Sequence, residues 1–232
     1  MKADTGRAGI VLAGGRSTRF GGEDKALAPL AGTPLLRHAV RGVAPAVDSL
    51  LVSCRAEQVE RLEAVLDGIG GPDVAFVADP ITDLGPVAGL RTALRETDRL
   101  SAVVTACDMP LVPSAFLGHL LDRVETSTTA GVVTQVDGHL QSFPVGVNVR
   151  AATAACTEAL DSGGDLRDAL ASLAPVVIPE RDVRASVGHD RLVDVDTRAD
   201  LARAERSLAR VIAAVGGSER HGGADETRSG SR

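Results

Sequence analysis

The sequence has no tryptophan, no tyrosine and only four phenylalanines, so aromatic residues make up 2% of its 232 positions. A chain of this length is large enough for one well-filled core. That core must be built from Val, Leu, Ile and Ala rather than from rings. Lysine is almost missing: it occurs at positions 2 and 25, and arginine carries the rest of the positive charge. Acidic residues outnumber basic ones by 31 to 25, a net charge of −6, which argues against a general nucleic-acid binder. Cysteine is scarce. Cys54, Cys107 and Cys156 are odd in number, far apart and outside any CxxC, which excludes a disulfide framework and a zinc knuckle. They read as small buried thiols. No run of 18 apolar residues occurs, and the N-terminus lacks the apolar stretch of a signal peptide, so a soluble cytoplasmic protein is expected.

Catalytic signatures are missing as well. There is no GxSxG, and the histidines at 38, 119, 139, 189 and 221 do not stand at metal-ligand spacing. The P-loop pattern GxxxxGK[ST] is absent, and glycines 14, 15, 21 and 22 do not make GxGxxG.

What is present concentrates in residues 9–25, GIVLAGGRSTRFGGEDK. Residues 9–12 form a short apolar, β-branched run that reads as a buried first strand. The loop after it carries four glycines together with Arg16, Arg19 and, at its end, Lys25. Glycines let a bulky anion approach backbone N–H groups, and such a turn after the first strand is where an open α/β sheet binds a nucleotide. In a chain that avoids lysine, one kept inside this loop stands out.

Along the chain, a helix is expected over 33–46 with Thr33 as N-cap and Pro34 in its first turn. Strand 49–54, helix 57–66, strand 74–77, a helix from Gly85-Pro86 to about 97 and strand 101–107 follow. A further helix should begin after Pro113. Strands 130–135 and 143–149 flank the turn at 137–139. Helices 151–160 and 165–173 and a strand at 176–178 come next. Val193 and Val195 alternate with Asp194 and Asp196, a two-residue period that sends both carboxylates to one face. Thr197 then caps a final helix reaching about residue 215, and 216–232 reads as a disordered tail. The expected architecture is a single α/β domain over 1–215, with a Rossmann-like, mostly parallel sheet and helices on both faces.

Two aspartates stand at strand ends. Asp79 follows the third strand and is either an exposed turn residue or part of a site. Asp108 follows the nearly all-apolar strand 101–107, where a carboxylate is either an N-cap for the next helix or a ligand for a metal such as Mg²⁺.

The string LAGGRSTRFGGEDKALAPLAGTPLL closely resembles the signature of MobA-like nucleotidyltransferases, roughly LAGGxSxRMGxDKxLxxLxGxPL. DPITDLGPVAG resembles that family's D-x(n)-GPLAG segment, and ACDMPLV its CDMPF/L motif. QSFPVGVN is similar to QPLFGVY with altered spacing of the apolar residues. Gly163-Gly164 and Arg167 resemble GxRSLRDLL without its first arginine, and RLVDVDTRADL resembles FxNxNTPEDL. The likeness spans about residues 8–205. It implies a fold of the nucleotide-diphospho-sugar transferase type and transfer of GMP from GTP to molybdopterin (Mo-MPT), releasing pyrophosphate. On this resemblance Leu12, Ala13, Gly14 and Gly15 cradle base and sugar, and Asp79, Gly85 and Gly89 contact guanine and ribose. Asp108 holds Mg²⁺, while Lys25 and Arg19 neutralise the transition state and leaving group. Molybdoenzymes or their chaperones are implied as partners; nucleic acid and membranes are not. LAGG, where cytidylyltransferases typically carry LAAG, favours GTP. Asp194 and Asp196 stand where guanylyltransferases usually have Asn, and DxDTPEDL occurs in related enzymes that include cytidylyltransferases. CTP or a cobinamide phosphate acceptor is therefore an alternative. A non-catalytic chaperone for molybdoenzymes is another, and the presence of Lys25 and Asp108 disfavours it.

Overall fold

The computed structural model describes residues 6–15, 20, 24–79, 84–187 and 191–218. The first strand, β1 (Arg7–Leu12), lies in the middle of the main sheet. A two-residue hairpin follows, β2 (Pro29–Leu30) against β3 (Thr33–Pro34), and leads into α1 (Leu35–Val43). Next come β4 (Ser49–Cys54), α2 (Val59–Leu66), β5 (Val74–Ala78), α3 (Pro86–Arg95) and β6 (Ser101–Ala106). Beyond them lie α4 (Ser114–Thr126), β7 (Gly131–Val136), β8 (His139–Leu140), β9 (Val145–Asn148) and α5 (Val149–Ser162). α6 (Leu166–Ser172), β10 (Val176–Ile178), α7 (Glu180–Val187) and α8 (Arg198–Ser218) complete the described elements.

The main sheet runs β10-β7-β9-β6-β1-β4-β5, with β8 paired to β7. β5, β4, β1 and β6 are parallel. β9 is antiparallel to both β6 and β7. The reversal has a simple cause: only residues 137–144 separate β7 from β9, and a parallel pair needs a crossover of about a dozen residues or more. The sheet is thus mostly parallel, as expected.

The central strands β1, β4 and β6 bury both faces. Ile10, Leu51, Val104 and Val147 pack under α3, α5 and α6, while Val11, Val52, Val103 and Val132 pack under α1, α2, α4 and α7. The period-two alternation of a strand sorts neighbouring residues into these two cores. A third, smaller cluster joins Phe20, Leu30, Leu35 and Leu111 to Val195 and Ala204. It fastens the C-terminal segment to the hairpin.

Several boundaries differ from the expectation. Thr33 and Pro34 belong to the hairpin, and α1 starts at Leu35 with Pro34 as an extended N-cap. The cause is the Ala31-Gly32 turn, where both residues have positive φ (49° and 79°), the geometry that closes a two-residue hairpin. α7 had no counterpart in the sequence reading, because in a highly charged stretch its buried residues, Val183 and Val187, are too few to show a period. The final helix continues to Ser218, past the expected start of the tail at 216; residues 219–232 lie outside the described residues. Thr197 does cap this helix. Its Oγ1 accepts from the Asp200 N–H at 3.2 Å, and Asp200 Oδ2 accepts from the Thr197 N–H at 2.8 Å. Among the described residues, no helix is long and apolar enough to cross a membrane.

All three cysteines are free and buried. Burial pushes the thiols of Cys54 and Cys156 up to about 11, and that of Cys107, buried in the cavity lining, higher still. The thiolate is the reactive form, so iodoacetamide at mildly alkaline pH should leave the folded protein unmodified and label the thiols only in guanidinium. Intact-mass spectrometry reads the result. Rapid labelling of Cys107 in the native protein would contradict its placement.

Candidate active site

The carboxyl ends of β1, β4, β5 and β6 converge on one cavity of about 580 Å³. It lies where the strand order turns from β1 toward β4 on one side and β6 on the other, the position at which open α/β sheets bind ligands. The strand ends are stitched beyond the sheet proper. The Ala13 N–H donates to the Ser53 carbonyl (2.7 Å), the Cys107 N–H to the Leu12 carbonyl (3.0 Å) and the Asp79 N–H to the Cys54 carbonyl (2.9 Å).

Leu12, Ala13, Gly14, Gly15, Lys25, Asp79, Gly85 and Asp108 all line this cavity. Stretches up to 96 positions apart in sequence are therefore brought to one place. Arg19, and the glycines at 21 and 22, lie outside the described residues. Gly85, with φ of 74°, turns the chain into α3, and Pro86 occupies the first turn of that helix. One turn on, Gly89 faces Ser53 so closely that a Cβ there would meet the Ser53 hydroxyl at 2.8 Å. α3 thus presses its N-terminal turn onto the end of β4.

Lys25 is the centre of charge. Asp24 accepts from the Ala26 N–H at 3.2 Å and starts a short 3₁₀ turn over Lys25–Leu27. From that turn Lys25 Nζ donates to Asp108 Oδ2 at 2.8 Å and to Asp196 Oδ1 at 2.5 Å. The lysine side chain is 12% exposed. Burial draws its pKa down, but the hydrogen bonds and charges of Asp108 and Asp196 outweigh that, and the ammonium is held above the ordinary lysine value. Asp108 is not a helix cap: α4 begins at Ser114 with Pro113 as its N-cap.

The C-terminal segment is docked by its backbone. The Val195 N–H donates to the Asp108 carbonyl at 2.8 Å, and the Val195 side chain is fully buried. This places Asp196 at the cavity, with Asp194 close by. Desolvation, followed by the charges of Asp108 and Asp196, pushes Asp194 up to about 6. Asp194 itself is exposed, and the nearby charges of Asp108 and Asp196 act in the same upward direction.

Two carboxylates converging on a single cationic nitrogen suit a hard cation. Among the described residues no three His, Cys, Asp or Glu side chains form a ready cage. An ion bound mainly through one or two carboxylates and phosphate oxygens, as Mg²⁺ is, needs no such cage.

Sequence reasoning missed the residues that hold the loop from below. Arg55 and Gln58 contact residues 13–15 and Asp24. They form a reciprocal turn in which the Arg55 N–H donates to Gln58 Oε1, but Arg at the first position hides the usual Ser/Thr-x-x-Glu/Gln cue. Phe143, from the β8–β9 connection, also lines the cavity and gave no signal of its own.

Comparison with known proteins identifies the family and relatives of this chain. A MobA-like NTP transferase domain matches residues 9–177. A protein of Haloferax mediterranei named "Probable molybdenum cofactor guanylyltransferase" is 44% identical over 199 residues, 85% of this chain and 92% of the relative. One of the same name from Natronomonas pharaonis is 36% identical over 206 residues, covering 88% and 98%. The crystal structure of molybdopterin-guanine dinucleotide biosynthesis protein A from Archaeoglobus fulgidus superposes with a TM-score of 0.73 at 25% identity, covering 88% of this chain and 99% of that one.

The ion-pair geometry sets an order of stabilities. Asp196→Asn should cost less than about 1 kcal/mol, since 44% of that side chain is exposed and water screens the pair. Lys25→Met should cost more, on the order of 1–2 kcal/mol, because it leaves two carboxylates facing one another. Urea denaturation measures both, and added NaCl should narrow the gap. The reverse order would mean that Lys25 does not bridge the two.

Proposed function

Because this chain belongs to the MobA-like NTP transferase family, we propose that it transfers GMP from GTP to the terminal phosphate of molybdopterin in the cytoplasm. The products are the guanine dinucleotide and pyrophosphate. One observation carries the assignment of the centre: Lys25, Asp108 and Asp196 meet in the lining of a cavity that Gly14, Gly15 and Asp79 also line. The guanylyltransferase names of the relatives, and the LAGG of this loop, support guanine as the base.

The chemistry needs little acid–base assistance. The acceptor is a phosphate monoester, anionic near neutral pH, so no strong general base is required. The obstacle is charge: an anion must approach the α-phosphate while pyrophosphate departs. Positioning and electrostatic stabilisation meet it. In this reading Leu12, Ala13, Gly14 and Gly15 hold the base and sugar through their backbone. Asp79, Gly85 and Gly89, in the same lining, contact guanine and ribose. Asp108, with Asp196 beside it, would hold Mg²⁺, which would supply positive charge to offset that of the phosphates. Lys25, kept charged by its two partners, is within reach of the same phosphates and follows charge developing on the leaving group. Arg19 adds positive charge to the same loop.

Asp194-x-Asp196 in place of two asparagines favours a second reading, in which CTP is the donor. GTP and CTP compared on one protein preparation separate the two.

Purified protein with GTP, molybdopterin and Mg²⁺ should release pyrophosphate and form the dinucleotide. Asp108→Asn should lower that turnover on the order of 10²-fold or more while the melting temperature changes little. Full activity of the Asn variant at ordinary Mg²⁺ would remove Asp108 from the centre. Gly15→Ala tests the cradle. A Cβ at Gly15 meets no protein atom within 4 Å, so the fold should tolerate it while bound nucleotide is crowded. Calorimetry should show weaker GTP binding at an unchanged melting temperature. Tighter binding of CTP than GTP by the unaltered protein would replace the first reading with the second.

A further inference from the structure

The turn beneath the glycine loop has no part in the chemistry above, yet its side chains are spent on the loop. Gln58 is fully buried. Its Nε2 donates to the Ala13 carbonyl at 3.2 Å and to Asp24 Oδ2 at 2.7 Å, and its Oε1 accepts from the Arg55 N–H at 2.9 Å. Arg55 Nη1 donates to the carbonyls of both Gly14 (2.6 Å) and Gly15 (2.9 Å), while its Nε donates to Glu57 Oε1 at 2.7 Å. Three successive carbonyls of the loop are thus held by two side chains of one short turn.

A planar trans peptide points each carbonyl opposite to the N–H of the next residue. Holding the carbonyls of Ala13 and Gly14 therefore turns the N–H groups of Gly14 and Gly15 away from Gln58 and Arg55. Glycine resists no rotation of its own, so the orientation must be imposed from outside. The second bond of Gln58 runs to Asp24, which caps the turn that carries Lys25. One buried amide spans the loop and the lysine turn. In such a buried site an unmade hydrogen bond is costly, which makes the arrangement stiff.

We propose that Arg55 and Gln58 are positioning residues for nucleotide transfer. Arg55 orders the Gly14-Gly15 peptides for the nucleotide, and Gln58 sets the loop and Lys25 in register. Both act through the loop, and Arg55 also borders the cavity. The proposal rests on the nucleotidyl-transfer reading above.

The two roles predict different kinetic signatures. Arg55→Met should raise the Kd for GTP about tenfold, with kcat within a few-fold and the melting temperature nearly unchanged. Arg55→Lys should restore most of the affinity, because a single nitrogen serves both carbonyls. Gln58→Glu keeps the acceptor for the Arg55 N–H but loses both donations and sets a charge against Asp24. It should lower kcat about tenfold as well as weaken GTP. Calorimetry with GTP, steady-state turnover and thermal melting on the full chain supply the readouts. Variants that melt lower yet keep the Kd and kcat of the unaltered protein would reduce the turn to a structural prop and overturn the inference. So would an Arg55→Met protein that binds GTP normally, which holds the test open should Gln58→Glu fail to fold. If the unaltered protein itself neither binds GTP nor turns it over, the reading of the function falls first and takes the positioning roles with it.

Discussion

One ammonium group between two carboxylates ties the ends of this chain together. Lys25 lies 83 positions from Asp108 and 171 from Asp196, yet one nitrogen bonds to both. Such a contact requires three separate elements to arrive at the same point. The first is the short turn after the glycine loop. The second is the end of β6, a strand buried on both faces between β1 and β9. The third is the segment before α8, held by a backbone bond to Asp108 and by the buried Val195. A partly buried charge is tolerable only when paired, so the three arrivals depend on one another.

The parallel sheet makes this convergence possible. Parallel strands end on the same side, and their loops share one rim. Here the rim is tightened by bonds from one strand end to the next, at Ala13, Cys107 and Asp79. Such stitching leaves little freedom for the backbone that faces the cavity. Transfer between phosphates gains most from groups already in place, because no strong base or covalent intermediate is called on to lower the barrier. A stiff rim and a charged centre are what that chemistry asks of a protein.

The parts of this design that were readable in the sequence were those fixed by local physics. Buried strands such as residues 49–54 and 101–107 announce themselves as apolar runs, and Asp79 and Asp108 stand out because they interrupt such runs at their ends. Thr197 and Asp200 cap a helix by a rule that operates within four residues. What remained hidden depends on distance. Nothing near Lys25 in the sequence indicates that its partners are Asp108 and Asp196 rather than its neighbour Asp24. Asp24 instead receives the amide of Gln58. The direction of β9 followed from a short connection that could have been counted, whereas α7 has too few apolar residues to reveal itself.

The choice of lysine at position 25 follows from the same geometry. The rest of the described chain uses arginine for its cations, so composition alone would place arginine here too. A guanidinium is planar and presents its donors as a rigid fork, suited to lying edge-on against one carboxylate. The site offers two carboxylates from different elements and, in the proposed reaction, phosphate oxygens as well. An ammonium is a compact charge whose donors rotate about a flexible stem, so it can bridge Asp108 and Asp196 in one state and turn to an incoming anion in another. Arg55, by contrast, has fixed targets: one nitrogen serves the carbonyls of Gly14 and Gly15, and a second is held by Glu57. The two cations flank the same loop and divide the work by shape: the planar one holds the backbone still, and the compact one is left able to move.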